Sequence, residues 1–260
     1  MVRSIFFDIS STLDIKFVAT TEKTRGVFYI ATGSEYYIQE AIKSAISFKR
    51  YNAEFPVSLF TDYSGNKLSL KIFDEVIKIS SLKHPFKTKV ECIEKVPYDL
   101  NIFLDTDTKV VASISELYEL LEQTDLLAAK APYLDWSQRP PIFKGYEHPT
   151  EFNTGFIGIN KNDSSMNFLN TWSTRIEKYS DVELRKDFGD QNVFNSILAD
   201  NILINIKVVP NTVYNARDTM LKRMKEDNLI DKIKIFHHHG VFNNKSVIKK
   251  VSRIIVDFFK

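Results

Sequence analysis

The chain has 260 residues, 43% of them hydrophobic and 13% aromatic, which is too apolar for a disordered segment and long enough to bury a deep core. Its 35 Lys and Arg stand against 33 Asp and Glu, so the net charge of +2 argues against general nucleic-acid binding, and the single cysteine, Cys92, excludes an internal disulfide and a cysteine-based zinc site. No apolar run approaches the ~20 residues of a membrane span, and the opening Met1-Val2-Arg3-Ser4-Ile5-Phe6-Phe7-Asp8 meets an aspartate too early for a secretory leader, so a single globular domain in a reducing, cytoplasmic compartment is expected.

Residues 1–26 read as an N-terminal extension without a legible role. Short apolar runs then alternate with amphipathic stretches. Residues 27–32 predict a buried strand ending at Gly33-Ser34, and Ile38, Ala41, Ile42, Ala45 and Ile46 recur at helical spacing over 35–50. Strands are expected at 57–61, 76–79, 101–104 and 126–129, with helices at 87–96 and 114–123. Strands that alternate with helices imply βαβ units, hence an α/β fold with a mainly parallel central sheet and flanking helices. In such sheets ligands bind beyond the carboxyl ends of the strands. Residues 131–150 lack periodicity and hold four of the eight prolines, the pattern of a lid or binding loop. A strand at 152–160, helices at 164–178 and 188–200, and short strands at 206–213 and 233–239 complete a domain spanning 27–245. Over 246–260, Val247, Ile248, Val251, Ile254, Ile255 and Phe258 make a helical apolar stripe beside Lys249, Lys250 and Arg253. Such a helix suits packing on the sheet or a partner, and also peripheral contact with a membrane surface.

Asp105-Thr106-Asp107 is the sharpest local feature, because two carboxylates two residues apart follow the apolar run Ile102-Phe103-Leu104. At a strand end both reach solvent while the strand stays buried, and paired oxygen ligands suit a hard divalent cation that also binds phosphate; the plainer reading is a strand-terminating turn. His237-His238-His239 follows another apolar run, and on a strand His237 and His239 share a face, so one face offers imidazole to a metal. Asp187, Asp190 and Gln191 lie about a helix start, where acids are often only caps. Asn153-Thr154-Gly155 puts a glycine inside a strand, a mark of close approach by a ligand or another backbone. Lys89 on a helix, and Thr32 and Tyr37 about the first strand–helix turn, are weaker candidates individually.

Taken in order, Ile30-Ala31-Thr32, Phe103-Leu104-Asp105-Thr106-Asp107-Thr108, Phe152-Asn153-Thr154-Gly155, Gly189-Asp190-Gln191, Pro210 with Tyr214-Asn215, and His237-His238-His239-Gly240 resemble the nucleotide-sugar glycosyltransferases of the GT-A fold. The series is most similar to the glycogenin-like, retaining group, and Thr88-Lys89-Val90-Glu91-Cys92 fits the same pattern. The resemblance implies a Rossmann-like GT-A domain that transfers a sugar from a nucleotide-sugar donor, by family habit a UDP-sugar, to a glycan, protein or lipid acceptor with retention of configuration. It implies Mn²⁺ or Mg²⁺ on Asp105, Asp107 and His237, with His239 the alternative ligand if the register differs. It further implies donor contacts from Ala31, Thr32, Tyr37, Lys89, Asp105, Thr106, Asn153, Asp187 and Asp190, with Lys89, Asp190 and Gln191 nearest the chemistry. Tyr133 and Trp136 in the 131–150 loop offer aromatic faces to an acceptor sugar.

Two departures and two other readings stand beside this resemblance. The family's histidine motif usually continues into Lys-Pro-Trp, whereas here Gly240 is followed by Val-Phe-Asn-Asn-Lys, leaving Lys245 as the available lysine. No acceptor tyrosine for self-glucosylation can be named, so a glycogen-priming role does not follow. Asp105-Thr106-Asp107 also resembles the Asp-x-Asp part of the Asp-x-Asp-x-Thr start of haloacid-dehalogenase-type phosphatases, in which the first Asp is the nucleophile. A non-catalytic nucleotide-sugar or glycan-binding module on the same fold is the third reading.

Overall fold

Adjacent residues of the central strands are apolar on both sides, so both sheet faces must be covered. In the computed structural model of the chain, which describes residues 22–65, 70–80, 83–132, 146–186, 189–200 and 202–238, helices do this on each side. Seven strands, β1 (Arg25–Ile30), β2 (Val57–Thr61), β3 (Glu75–Lys78), β4 (Leu100–Leu104), β6 (Leu126–Pro132), β7 (Glu147–Asn160) and β8 (Ile206–Val209), form one sheet in the order β3-β2-β1-β4-β7-β6-β8. All its pairings are parallel except the two that β7 makes with β4 and β6. On one face Val27, Tyr29, Ile102 and Leu104 pack with Ile38, Ala41 and Phe48 of α1 (Glu35–Lys49) and Leu117 and Leu121 of α3 (Glu116–Glu122). On the other, Phe28, Phe103 and Ile157 pack with Val90 and Ile93 of α2 (Pro85–Glu94), Phe168 and Trp172 of α4 (Asp163–Ile176), and Val193 and Phe194 of α6 (Asp190–Ala199). The one-residue alternation of Val27, Phe28 and Tyr29 between the two cores is the strand period itself.

Beyond the sheet lie α5 (Asp181–Lys186), α7 (Asn211–Tyr214) and α8 (Asp218–Glu226), and a two-stranded sheet pairs β5 (Thr108–Val110) with β9 (Ile235–His237). That small sheet positions the site. Its antiparallel register sets His237 opposite Thr108, the residue after Asp107. Met220, Leu221 and Met224 of α8 pack with Ile230 and Phe236 as a third apolar cluster beneath it.

Several elements differ from the sequence expectation. The strand expected over 206–213 stops at Val209, because Pro210, with φ −62°, lacks an amide hydrogen for the ladder and is pre-set to start α7. The first strand begins at Arg25 and ends at Ile30, so Thr32 lies in the turn around Gly33, whose φ is +76°. The strand expected over 152–160 extends back to Glu147, a polar stretch that finds its partner in Pro132 of β6 rather than in its own pattern. Neither β5, three residues long, nor α8, whose apolar stripe is narrow among charges, was expected from periodicity. Most of the N-terminal extension and of the 131–150 loop, with Tyr133 and Trp136, and the whole C-terminal stretch 246–260 fall outside the described residues. Among the described residues no helix is long and apolar enough to cross a membrane.

Candidate active site

All five residues of β4 are buried, and the strand's carboxyl end delivers Asp105 to the sheet edge. The Asp105 amide still bonds the Gly155 carbonyl of β7 at 2.9 Å, after which the chain turns: Thr108 donates to the Asp105 carbonyl through its amide at 3.2 Å and its hydroxyl at 2.8 Å. The turn buries Asp107, 5% exposed, and leaves the Asp105 side chain 30% exposed. The β5–β9 pairing then brings in His237, 3% exposed, with Nε2 at 3.1 Å from Oδ1 of Asp107 and 3.8 Å from Oδ2 of Asp105. One ligand atom from each of the three residues lies within 4.8 Å of the others.

Two observations test whether this trio fits a cation. The first is the tautomer. Oδ1 of Asn215 stands 2.7 Å from Nδ1 of His237, so Nδ1 carries the proton and donates it there. Burial, and then the nearby Arg217, lower the pKa of His237 despite the opposing pull of Asp107 and Asp105, which keeps the ring neutral. A neutral ring protonated on Nδ1 aims the Nε2 lone pair at the Asp107 carboxylate, two acceptors 3.1 Å apart that a cation shared between them would satisfy. The second is space. A Cβ on Gly155 would lie 2.0 Å from Cε1 of His237 and 2.8 Å from Oδ2 of Asp105, so the strand approaches the trio as only glycine permits. Two carboxylates and one imidazole suit Mn²⁺ or Mg²⁺ better than a soft ion.

Lys89 of α2 stands between acids, with Nζ 3.0 Å from both Oδ1 of Asp105 and Oδ2 of Asp190. Burial alone would lower its pKa, but the two carboxylates outweigh burial and raise it, so Lys89 is a fixed cation. Asp190 begins α6, 4% exposed, where its Oδ2 also accepts from the Thr154 hydroxyl at 2.7 Å and its carbonyl from the Trp172 indole at 3.2 Å. It is therefore held by far more than a helix cap needs. Asn153 donates to Oε1 of Gln191 at 2.9 Å and its own Oδ1 accepts from the Gly155 amide at 3.0 Å, tying β7 to α6. Three carboxylates, Asp105, Asp107 and Asp190, face two cations, Lys89 and Arg217, and the buried Glu40, which accepts from the Thr106 hydroxyl at 3.4 Å, is a fourth acid beside them, so acids outnumber cations at the site.

A cleft of about 350 Å³ opens beside this cluster, lined by Thr32, Gly33, Tyr37, Glu40, Phe86, Lys89 and the Asp105–Asp107 turn, among others. Thr32, Tyr37, Lys89, Asp105, Thr106 and Asp107 thus share one cavity wall, and Asn153, Asp190 and Gln191 adjoin it through Lys89 and β7. Ala31 does not line it: it is fully buried in the core, between the lining residues Ile30 and Thr32. Asp187 and His239 lie outside the described residues. His238 leaves the strand and pairs with Asp218 at 3.1 Å. Sequence reasoning gave no role to Asn215, which stood only within the Tyr214-Asn215 motif, and had no signal for Arg217 or Glu40, single charged residues in unremarkable surroundings.

The sequence pattern described as glycosyl transferase family 8 matches residues 90–245. No curated protein matches the chain in sequence. Among solved structures, the glycosyltransferase GlyE of Streptococcus pneumoniae TIGR4 superposes with a TM-score of 0.61 at 19% identity, over 91% of this chain and 63% of that one. This chain thus spans less than two-thirds of GlyE. The galactosyltransferase LgtC, solved with donor and acceptor sugar analogs, gives 0.59 at 12% identity, over 89% and 95%. Mouse xyloside xylosyltransferase 1 in its apo form gives 0.52 at 16% identity, over 83% and 97%. At these identities the likeness establishes a shared GT-A fold.

Proposed function

The chain belongs to glycosyl transferase family 8, and from that premise we propose that it is a metal-dependent glycosyltransferase, moving a sugar from a nucleotide-sugar donor to a glycan, protein or lipid acceptor. The observation that carries the proposal is the Asp105–Asp107–His237 trio, whose facing lone pairs call for a cation at the mouth of a cleft of nucleotide size. A divalent ion held there acts as a Lewis acid on the diphosphate that departs from the sugar. The protein's own groups do the rest. Thr32 and Tyr37 bind base and ribose, Asp105 and Thr106 approach the ribose and phosphates, and Lys89 fixes positive charge beside the leaving group. Asn153, Asp190 and Gln191 hold the donor sugar and face the reacting carbon, and the family pattern assigns Asp187 to the same subsite. Because β7 locks Asp190 and Gln191 to Thr154 and Asn153, these groups are oriented before the donor arrives, which lowers the cost of reaching the transition state.

Uridine as the base and retention of configuration are taken from the family pattern, and the buried free thiol of Cys92 fits assignment to the reducing cytoplasm. The family match leaves the phosphatase reading without support. Thermal shifts with UDP, GDP and their sugars, each with Mn²⁺ and with EDTA, test the proposal, since a ligand of the folded state alone raises Tm by mass action. A rise for one nucleotide that EDTA removes is expected, together with metal-dependent release of that nucleoside diphosphate from its sugar. Binding without any release, hydrolysis included, would mark a non-catalytic module, and no rise for any ligand would contradict the assignment.

A further inference from the structure

Arg217 has no donor-binding role in the site as assigned above, yet the fold holds it there. Residues 215–217 run beside β9, where Ala216 donates to the Ile235 carbonyl at 3.1 Å and His237 donates to the Ala216 carbonyl at 2.9 Å. This pairing brings Nη2 of Arg217 to 3.2 Å from Nδ1 and 3.4 Å from Nε2 of His237. Near-equal distances place the group out of the ring plane, in line with neither lone pair, and Nδ1 already gives its proton to Asn215. The imidazole is therefore a poor acceptor for it. Nε of Arg217 is buried without a hydrogen-bond partner, and although Asp107, Asp105 and Asp218 attract the guanidinium through space, among the described residues no carboxylate lies within ion-pair distance of it. Asp218, the acid next to it in sequence, is already bound to His238 at 3.1 Å and to the Thr219 amide at 2.8 Å.

A guanidinium is a planar fork of donors matched to the oxygens of a phosphate or carboxylate, and one held in a partly buried site with its Nε donor unfilled is suited to an anion that arrives later. Lys89 meets Oδ1 of Asp105 whereas His237, with Arg217 beside it, lies toward Oδ2, so the two cations reach the cluster from different sides. We propose that Arg217 binds the diphosphate of the donor, on the His237 side of the Asp105–Asp107–His237 trio. The inference rests on the nucleotide-sugar reading of this site and adds to it a phosphate contact from a residue with no counterpart in the motifs above.

Calorimetric titrations of wild type, Arg217→Ala and Arg217→Lys test it, in Mn²⁺, with UDP, uridine and inorganic pyrophosphate as separate ligands, and with Mn²⁺ alone. Loss of a charged fork should weaken UDP and pyrophosphate about 10- to 100-fold. Uridine should bind as to wild type, and Arg217→Lys should recover part of the loss, a point charge without the fork. Mn²⁺ alone should bind Arg217→Ala at least as tightly as wild type, because a neighbouring positive charge has been removed. Equal weakening of UDP and uridine, or weakened Mn²⁺ binding, would show that Arg217 acts by supporting His237 and would overturn the proposal, as would UDP and pyrophosphate affinities unchanged in Arg217→Ala. Wild type that binds pyrophosphate but not UDP would keep the Arg217 assignment and remove uridine; wild type that binds neither would overturn the underlying site assignment as well.

Discussion

Gly155→Ala adds one methyl group and no charge, yet it should cripple the metal site. The new Cβ would stand 2.0 Å from Cε1 of His237, where ordinary contact begins near 3.4 Å, so the ring must retreat by about 1.4 Å. It has little freedom to do so. The ring is 3% exposed, its Nδ1 is held by Asn215 at 2.7 Å, and its backbone is paired on both sides, with Thr108 in the ladder and with Ala216 at 2.9 Å. Overpacking of this kind costs about 1–3 kcal/mol. At roughly 2–4 °C per kcal/mol for a domain of this size, Tm should fall by about 2–12 °C. The larger effect falls on the ligand set, because displacing His237 from Asp105 and Asp107 should weaken Mn²⁺ by about 10- to 100-fold, as loss of an orienting contact does at other metal sites. Scanning calorimetry without metal and calorimetric Mn²⁺ titration separate the two. A lowered Tm with wild-type Mn²⁺ affinity would mean that Gly155 only packs and that His237 is no ligand; an unchanged variant on both measures would refute the steric argument itself.

Asp107→Asn should leave a folded protein, because it keeps the buried side chain's size and removes only its charge, while metal-dependent turnover of the nucleotide sugar drops by about two to three orders of magnitude; full activity would remove Asp107 from the ligand set. Lys89→Met should lower stability by about 3 kcal/mol, the smaller end for a broken buried pair because the Asp105 side chain keeps 30% exposure, since it strands two carboxylates that share one ammonium. A wild-type denaturation midpoint in that variant would show the bridge to be incidental. In EDTA, stability should hold steady above pH about 6.5 and fall below it: the folded-state pKa of His237 is lowered by burial, so the unfolded chain takes up a proton there that the folded chain does not. His237→Gln should flatten that slope, and an equal slope in both proteins would assign it elsewhere. Burial pushes the Cys92 thiol up to about 12, so iodoacetamide should modify it only as fast as the protein unfolds. Rapid labelling of the native protein would mean that the second core, on the α2 side of the sheet, is open there.

The layered fold was legible because its two signals are local. Runs such as Ile102-Phe103-Leu104 declare a strand buried on both faces, and the 3–4 spacing in α1 declares a helix that covers one of them. Asp105 and Asp107 could be read for the same reason, as polar residues ending an apolar strand. What stayed hidden depends on pairing between distant segments. Nothing within Thr108–Val110 announces a strand, and the strand expected over 233–239 names no partner by its spacing; each is paired by the other. Without that pairing the run His237-His238-His239 offers three imidazoles and no reason to prefer one; with it, His237 meets the aspartates and His238 turns to Asp218. Asn215 and Arg217 are set by the backbone bridge between Ala216 and Phe236, and so leave no trace in spacing. The stop at Pro210 is legible in the sequence, but the β-branched Ile206, Val208 and Val209 ahead of it and Val213 beyond suggest a longer strand.

The most direct test of the account is a crystal structure of the protein with Mn²⁺ and UDP, with the ion located by its anomalous scattering. One strong peak is expected within about 2.0–2.4 Å of carboxylate oxygens of Asp105 and Asp107 and of Nε2 of His237, with the diphosphate on the same ion. A peak elsewhere, or bound UDP with no metal at the trio, would contradict it.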